Sequence, residues 1–219
     1  MLLLLTRLSA GPGPVGPGLR FLSRAERARA GRLPAQRRAQ YLAGRVLLRD
    51  ACARLGGGPA SAWRLNPEGL PLAQRTGRPA PWLSLAHSGE WLAATASWGP
   101  GVGVDLERRG QRRDWRGLHR LVRRWELASE GCAWPAGPPA EAFLGDWTRY
   151  EAAYKAAQSF AAAARRPQPV QAWTLQGKDL VLSVCGPERT APAWVWVGSG
   201  SLKEWVRCPQ PWTLDVSKL

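Results

Sequence analysis

Gly103-Val104-Asp105-Leu106-Glu107 and, further on, Trp147-Thr148-Arg149-Tyr150-Glu151-Ala152-Ala153-Tyr154-Lys155 decide how this chain of 219 residues reads. In the first stretch Val102, Val104 and Leu106 alternate with Gly103, Asp105 and Glu107. That is the period of a strand, with both carboxylates on the face opposite the apolar set. The second stretch predicts the opening of a helix. Glu151 and Lys155 stand four apart on it, carboxylate first, and so share one face. Three carboxylates and one amine on two elements are therefore able to converge. Hard oxygen donors of this kind suit Mg²⁺, which takes a few carboxylates, water and substrate phosphate.

Outward from these two stretches the chain reads as helices and short strands. Met1 to Leu5 is apolar, with no basic segment before it, and predicts a short strand rather than a signal peptide. No run approaches the roughly twenty apolar residues of a membrane-spanning helix. Gly11 to Gly18 is a Gly/Pro loop. A basic stretch from about 23 to 55 predicts helix, with Ser23 and Glu26 spaced as a capping box. Pro34 divides it in two. In the second part Tyr41, Leu42, Val46, Leu47 and Leu48 are the expected buried stripe, with Arg37, Arg38, Arg45 and Arg49 outside or at the rim. Gly56-Gly57-Gly58-Pro59 ends it.

Strands are expected at about 63–65, and at 82–85 and 91–97 on either side of His87-Ser88-Gly89. The Gly99-Pro100-Gly101 turn then leads into the 102–107 strand, which suggests a hairpin between 91–97 and 102–107. Residues 112–132 look helical, Trp134 to Pro139 is a loop, and an Ala-rich helix is expected over about 140–164. Three late strands are expected at about 170–175, 180–184 and 194–197.

The bulk numbers describe a globular chain, 45% hydrophobic and 21% charged. The net charge of +15 comes from 31 basic and 16 acidic residues. It favours anionic partners without choosing among nucleic acid, membrane, nucleotide or acidic protein. The cysteines, at 52, 132, 185 and 208, form no CxxC pair, and with 2 histidines no zinc cluster is apparent. Reduced, structural thiols fit a cytoplasmic protein. Of the 13 tryptophans, Trp98, Trp115, Trp125 and Trp134 lie among charged or loop residues and suit either a partner surface or core packing.

The two motifs together resemble the signature of the 4′-phosphopantetheinyl transferases of the larger, surfactin-synthetase-activating type. That signature is a hydrophobic-Gly-hydrophobic-Asp-x-Glu strand followed well downstream by Trp-Ser/Thr-x-Lys-Glu-Ala/Ser-x-x-Lys. Asp105 and Glu151 are 46 positions apart here. The likeness runs from about residue 35 to 176.

The resemblance implies an α/β fold of the α+β kind, with two pseudo-symmetric halves. Each would be a small, mostly antiparallel sheet packed with helices, with the active site at their interface. The halves would be residues 1–100 and 101–219. It implies transfer of 4′-phosphopantetheine from coenzyme A to a serine of an acyl or peptidyl carrier protein, the holo-acyl-carrier-protein synthase activity, with adenosine 3′,5′-bisphosphate released. Asp105, Glu107 and Glu151 would bind Mg²⁺, with Mn²⁺ an alternative. Glu151 would also help deprotonate the serine, and Lys155 would contact a phosphate and stabilise the transferring group. His87, in Ser84-Leu85-Ala86-His87-Ser88-Gly89, would bind a coenzyme A phosphate. Arg78, in Gly77-Arg78-Pro79, would do the same, as would Arg45, following Gly44, and Arg38. The implied partner is an acidic carrier protein, and the implied enzyme a cytoplasmic monomer with no nucleic-acid or membrane partner.

Two departures stand out. Tyr150 occupies the position where the family usually has Lys, and Ala86 stands where it usually has Ser. Two alternatives remain at this point. One is a basic nucleic-acid-binding protein, although no zinc-finger, RNA-recognition or helix-turn-helix signature is found. The other is a degenerate family member that binds a carrier protein without catalysis.

Overall fold

The computed structural model describes residues 1–8, 20–66, 73–77, 79–110, 114, 117–118, 122, 139–187, 193–196, 206–207 and 212–214. The fold is α+β, and it divides into two compact units. One comprises residues 1–99 and 192–201, the other residues 100–191 and 202–219. Among the described residues no helix is long and apolar enough to cross a membrane.

In the first unit Leu2 to Leu5 form a strand buried on both faces, β1 (Leu2–Arg7). Two short strands, β2 (Arg64–Leu65) and β3 (Ala73–Gln74), pair with each other. Strands β4 (Trp82–Ser88) and β5 (Trp91–Ser97) form an antiparallel hairpin around Gly89, whose φ is 59°. Strand β1 lies antiparallel to β5 on one side and parallel to a late strand (Ala193–Trp196) on the other. A strand from beyond residue 191 thus completes the sheet of the first unit. Two helices, α1 (Arg24–Gly31) and α2 (Ala35–Gly56), are separated at Pro34 as expected. Helix α2 packs on the sheet through Ala43, Leu47, Leu48 and Ala51 against Leu2, Leu4, Leu92 and Ala94.

The buried face of α2 differs from the expected stripe. Tyr41, Leu42 and Val46 are only half-buried, whereas Arg45 and Arg49 are buried. The cause is Glu26, which is fully buried on α1. Arg45 Nε donates to Glu26 Oε1 at 2.6 Å, and Arg49 Nη2 donates to Glu26 Oε2 at 2.7 Å. Glu26 also completes the capping box of α1. The Ser23 N–H donates to Oε2 at 2.7 Å, and the Glu26 N–H donates to Ser23 Oγ at 3.2 Å. One carboxylate therefore caps α1 and pins it to α2.

Burial alone would raise the Glu26 pKa. The hydrogen bonds from Arg49, the Ser23 N–H and Arg45 outweigh burial and hold it at about 2. A carboxyl whose folded pKa lies below its unfolded value stabilises the fold above the unfolded pKa. It loses that contribution as pH falls through the folded one. Stability should therefore drop between about pH 4.5 and pH 2, by on the order of 3 kcal/mol from this group. Denaturant titrations across that window should show the drop in the wild type and a flatter profile in Glu26→Gln. Equal slopes would exclude Glu26 as its source.

The second unit holds β6 (Gly103–Arg108), α3 (Pro139–Ala162), β7 (Val170–Gln176) and β8 (Leu180–Gly186). The late strand of the first sheet is β9. Two further short strands, β10 (Val206–Arg207) and β11 (Trp212–Leu214), also pair with β7. The sheet runs β10-β7-β8-β6 and is antiparallel throughout. Helix α3 crosses its face through Ala152, Ala153, Ala156 and Phe160, packed against Val170, Ala172 and Cys185.

The expected hairpin between 91–97 and 102–107 does not form. Strand β5 is already flanked by β4 and β1, and β6 pairs with β8 in the other sheet. The turn between them is held to α3. Both the Gly101 and Val102 N–H groups donate to Ser159 Oγ, at 2.6 and 3.2 Å. Gly101 has φ +89°, and a Cβ there would stand 2.5 Å from the Phe160 ring. Adjacency in sequence lost to long-range pairing with β1, whose Leu2–Leu5 run is wholly apolar.

The expected loop at Gly11 to Gly18 lies outside the described residues. So do most of the expected 112–132 helix with His119, and Trp115, Trp125, Trp134, Cys132 and Cys208. Cys52 and Cys185 are free and buried. Burial pushes the Cys52 thiol up to about 12 and raises that of Cys185 as well.

Candidate active site beneath helix α3

Gly103, Asp105 and Glu107 alternate with Val104 and Leu106 along β6, and it is the Gly-Asp-Glu face that α3 covers. A Cβ at Gly103 would stand 1.9 Å from Ala152 O and 2.8 Å from Ala156 N. Helix and strand are therefore in backbone contact, and the glycine of the motif is a packing requirement. Asp105 and Glu107 are only 8% and 5% exposed, which excludes an ordinary solvated strand face. Lys155 reaches down from α3 and donates to Asp105 Oδ1 at 2.7 Å and to Val104 O at 3.0 Å. Glu151 lies one turn earlier on the same helix and is half-buried.

All three candidate metal ligands are carboxylates. Two lie on one strand face, and the third is on the helix that crosses it. That donor chemistry fits a hard divalent ion. Among the described residues no three Asp, Glu, His or Cys side chains are gathered into a ligand set. In this structure the Lys155 ammonium lies beside Asp105.

The first unit carries the basic candidates. His87 is not in a turn. Strand β4 continues through Ser88 and leaves His87 exposed near its end. Arg37 Nη1, from α2, donates to His87 Nε2 at 3.3 Å. The sequence places Arg37 only outside or at the rim of its helix, yet helical spacing carries the signal for this contact. A Cβ at Gly44 would meet Leu85 at 2.7 Å, so α2 crosses β4 there. The residue two turns earlier on α2 then lies near the residue two further along β4. Gln40, between them, donates to Gly89 O at 2.7 Å and braces the hairpin.

Two other basic candidates point elsewhere. Arg38 donates to Ala30 O and Leu33 O, each at 3.1 Å, closing the end of α1. Arg45 is buried on Glu26 and also donates to Asn66 O. Arg78 lies outside the described residues.

No family model matches the chain. Two curated relatives do. Both are 4′-phosphopantetheinyl transferases named AcpT, from Salmonella typhimurium strain LT2 and Salmonella typhi. Each is 33% identical over 156 residues, covering 69% of this chain and 78% of the relative. The chain belongs to the 4′-phosphopantetheinyl transferase family.

The structure accounts for the departure of this phosphopantetheinyl transferase at Tyr150. That side chain is buried with Phe143, Trp147 and Val122, its ring stacked on Trp147 at 5.7 Å. Burial raises its pKa, and Glu151 adds to the shift. A lysine at this position would have to bury its ammonium among aromatic rings or displace them. Arg149 does not replace the missing cation, because it turns to Asp146 and Thr174. Tyr150→Lys should therefore lower stability by ~2–3 kcal/mol without raising transfer. A melting curve and a rate measured with coenzyme A would check this. A tenfold gain in coenzyme A affinity would contradict it.

Proposed function

We propose that this protein moves the 4′-phosphopantetheine arm of coenzyme A to a serine of an acyl or peptidyl carrier protein. The serine oxygen forms a bond to the β-phosphorus of the pyrophosphate, the bridging P–O bond breaks, and adenosine 3′,5′-bisphosphate leaves. The observation that carries this reading is the half-buried Lys155 paired with the buried Asp105 under α3, with Glu107 on the same strand face and Glu151 one turn away on the helix.

In this reading Asp105, Glu107 and Glu151 hold Mg²⁺ or Mn²⁺. When bound, such an ion neutralises pyrophosphate charge and polarises the phosphoryl oxygen. Glu151 accepts the serine proton, directly or through water. Lys155 leaves Asp105 to meet a phosphate oxygen and stabilises charge that grows in the transition state. His87 and Arg37 bind a terminal phosphate of coenzyme A, together with Arg78. Arg38 and Arg45, engaged by α1 and Glu26, maintain the frame that carries Arg37.

The surplus of positive charge steers an acidic carrier protein towards the enzyme. The reading includes the surfactin-synthetase-activating subtype and a monomeric cytoplasmic enzyme, and the free thiols of Cys52 and Cys185 accord with a reducing compartment.

The test is the intact mass of purified apo carrier proteins after incubation with coenzyme A, Mg²⁺ and this protein. A gain of one phosphopantetheine group on the serine is expected. Unchanged masses across both acyl and peptidyl carriers would reject the reading.

A further inference from the structure

Under α3 a row of polar side chains crosses a face that is otherwise built from small apolar residues. Thr174 on β7 pairs with Ser183 on β8, and Ser183 pairs with Asp105 on β6. Directly opposed residues share a face, so all three point at the helix. Thr148 of α3 shares a hydrogen bond with Ser183 Oγ at 2.8 Å, and Ser183 shares another with Thr174 Oγ1 at 2.9 Å. Thr148 also donates to Gly145 O at 3.1 Å, and Arg149 Nη1 donates to Thr174 Oγ1 at 3.3 Å. Thr148, Thr174 and Ser183 are fully buried. Valine or alanine would fill such positions without the desolvation that hydroxyls require.

The packing on either side explains what the hydroxyls do. Next to them the interface is Ala152, Ala153 and Ala156 over Gly103. Small side chains make a smooth surface, and a smooth surface sets the position of a helix along its axis only weakly. One residue of slippage is about 1.5 Å, enough to break a hydrogen bond but little resisted by alanine. Thr148 is three residues before Glu151 and seven before Lys155, so all three lie along one side of α3. Among the described residues, side chains of the helix reach the sheet at Thr148–Ser183, Arg149–Thr174 and Lys155–Asp105, and Ser159 holds the Gly101–Val102 turn that leads into β6. Thr148–Ser183 is the contact in which both side chains are fully buried, and in the proposed mechanism Lys155–Asp105 opens when Lys155 turns to a phosphate.

We infer that Thr148 and Ser183 are positioning residues whose shared hydrogen bond fixes the axial register of α3, and so holds Glu151 and Lys155 over Asp105 and Glu107 during the reaction. This rests on the proposed function for its kinetic consequence but not for its geometry.

The test compares Thr148→Val, Thr148→Ser and the double variant Thr148→Val/Ser183→Ala, the last leaving neither hydroxyl of the pair unsatisfied. Each is assayed with coenzyme A and an apo carrier protein, melted, and crystallised. Thr148→Val and the double variant should lose about tenfold to a hundredfold in kcat, the scale of an ångström-sized misplacement. KM for coenzyme A should change little, and Thr148→Ser should retain the rate. In the double variant α3 should be displaced along its axis relative to β6. Normal kcat in Thr148→Val, or a loss of rate that merely follows melting temperature in every variant, would overturn the inference. If the wild type modifies no carrier protein, the proposed function falls alone. The position of α3 in the double variant then decides this inference, an unshifted helix overturning it.

Discussion

Asp105→Asn should lower phosphopantetheine transfer at least a hundredfold while the protein stays folded. The amide keeps the shape of the carboxylate and an oxygen able to accept from Lys155 Nζ, now 2.7 Å from Oδ1. Packing on β6 is therefore preserved. What disappears is a negative charge that, in the proposed mechanism, holds the divalent ion, and such an ion supplies several kcal/mol of charge stabilisation. Glu151→Ala should lose as much, because it removes a ligand and the proton acceptor together. EDTA should abolish wild-type transfer, and added Mg²⁺ should restore it. The measurement is a single-turnover rate with saturating coenzyme A, alongside a melting curve for each variant. Full turnover by Asp105→Asn in metal-free buffer would remove the carboxylates from the mechanism.

Gly103→Ala should damage fold and activity together. Ordinary overpacking of a core costs about 1–3 kcal/mol because side chains shift to make room. Here the added methyl would meet backbone, with Ala152 O at 1.9 Å, and neither the helix nor the strand yields without losing its own hydrogen bonds. More than about 3 kcal/mol is expected. Gly44→Ala is the matched control, since its Cβ would meet only the end of the Leu85 side chain, which is free to rotate away. Chemical denaturation should show a large drop for Gly103→Ala and a small one for Gly44→Ala. Similar losses in the two would mean that α3 does not rest on β6 as closely as described. The survivors of Gly103→Ala should also be poor enzymes, because any lift of α3 carries Lys155 away from Asp105.

Much of the architecture was legible in the order of residues because its causes are local. The Ser23–Glu26 capping box, the break at Pro34 and the end of α2 at Gly56–Gly58 each depend on a few neighbours, and each is present in the structure. Strand β6 and helix α3 were visible through their periods. Strands β10 and β11, of two and three residues, are too short to show one. The residue types of the two motifs also sufficed to indicate the family.

What the order of residues did not hold were outcomes that depend on partners distant in the chain. Arg45 and Arg49 look like surface arginines until Glu26, 19 and 23 positions earlier, is folded beneath them. A buried carboxylate then makes the interior the favourable place for two guanidinium groups. Tyr150 reads as a missing cation until Phe143 and Trp147 enclose it. The β5–β6 hairpin was reasonable by adjacency, but β1 offered β5 an apolar strand and its backbone hydrogen bonds. The sequence by itself determined which local elements form and which chemical groups are available. Tertiary structure alone decided which charges are neutralised by one another and which stay open to a substrate, because ion pairing and burial depend on distances that chain separation does not specify.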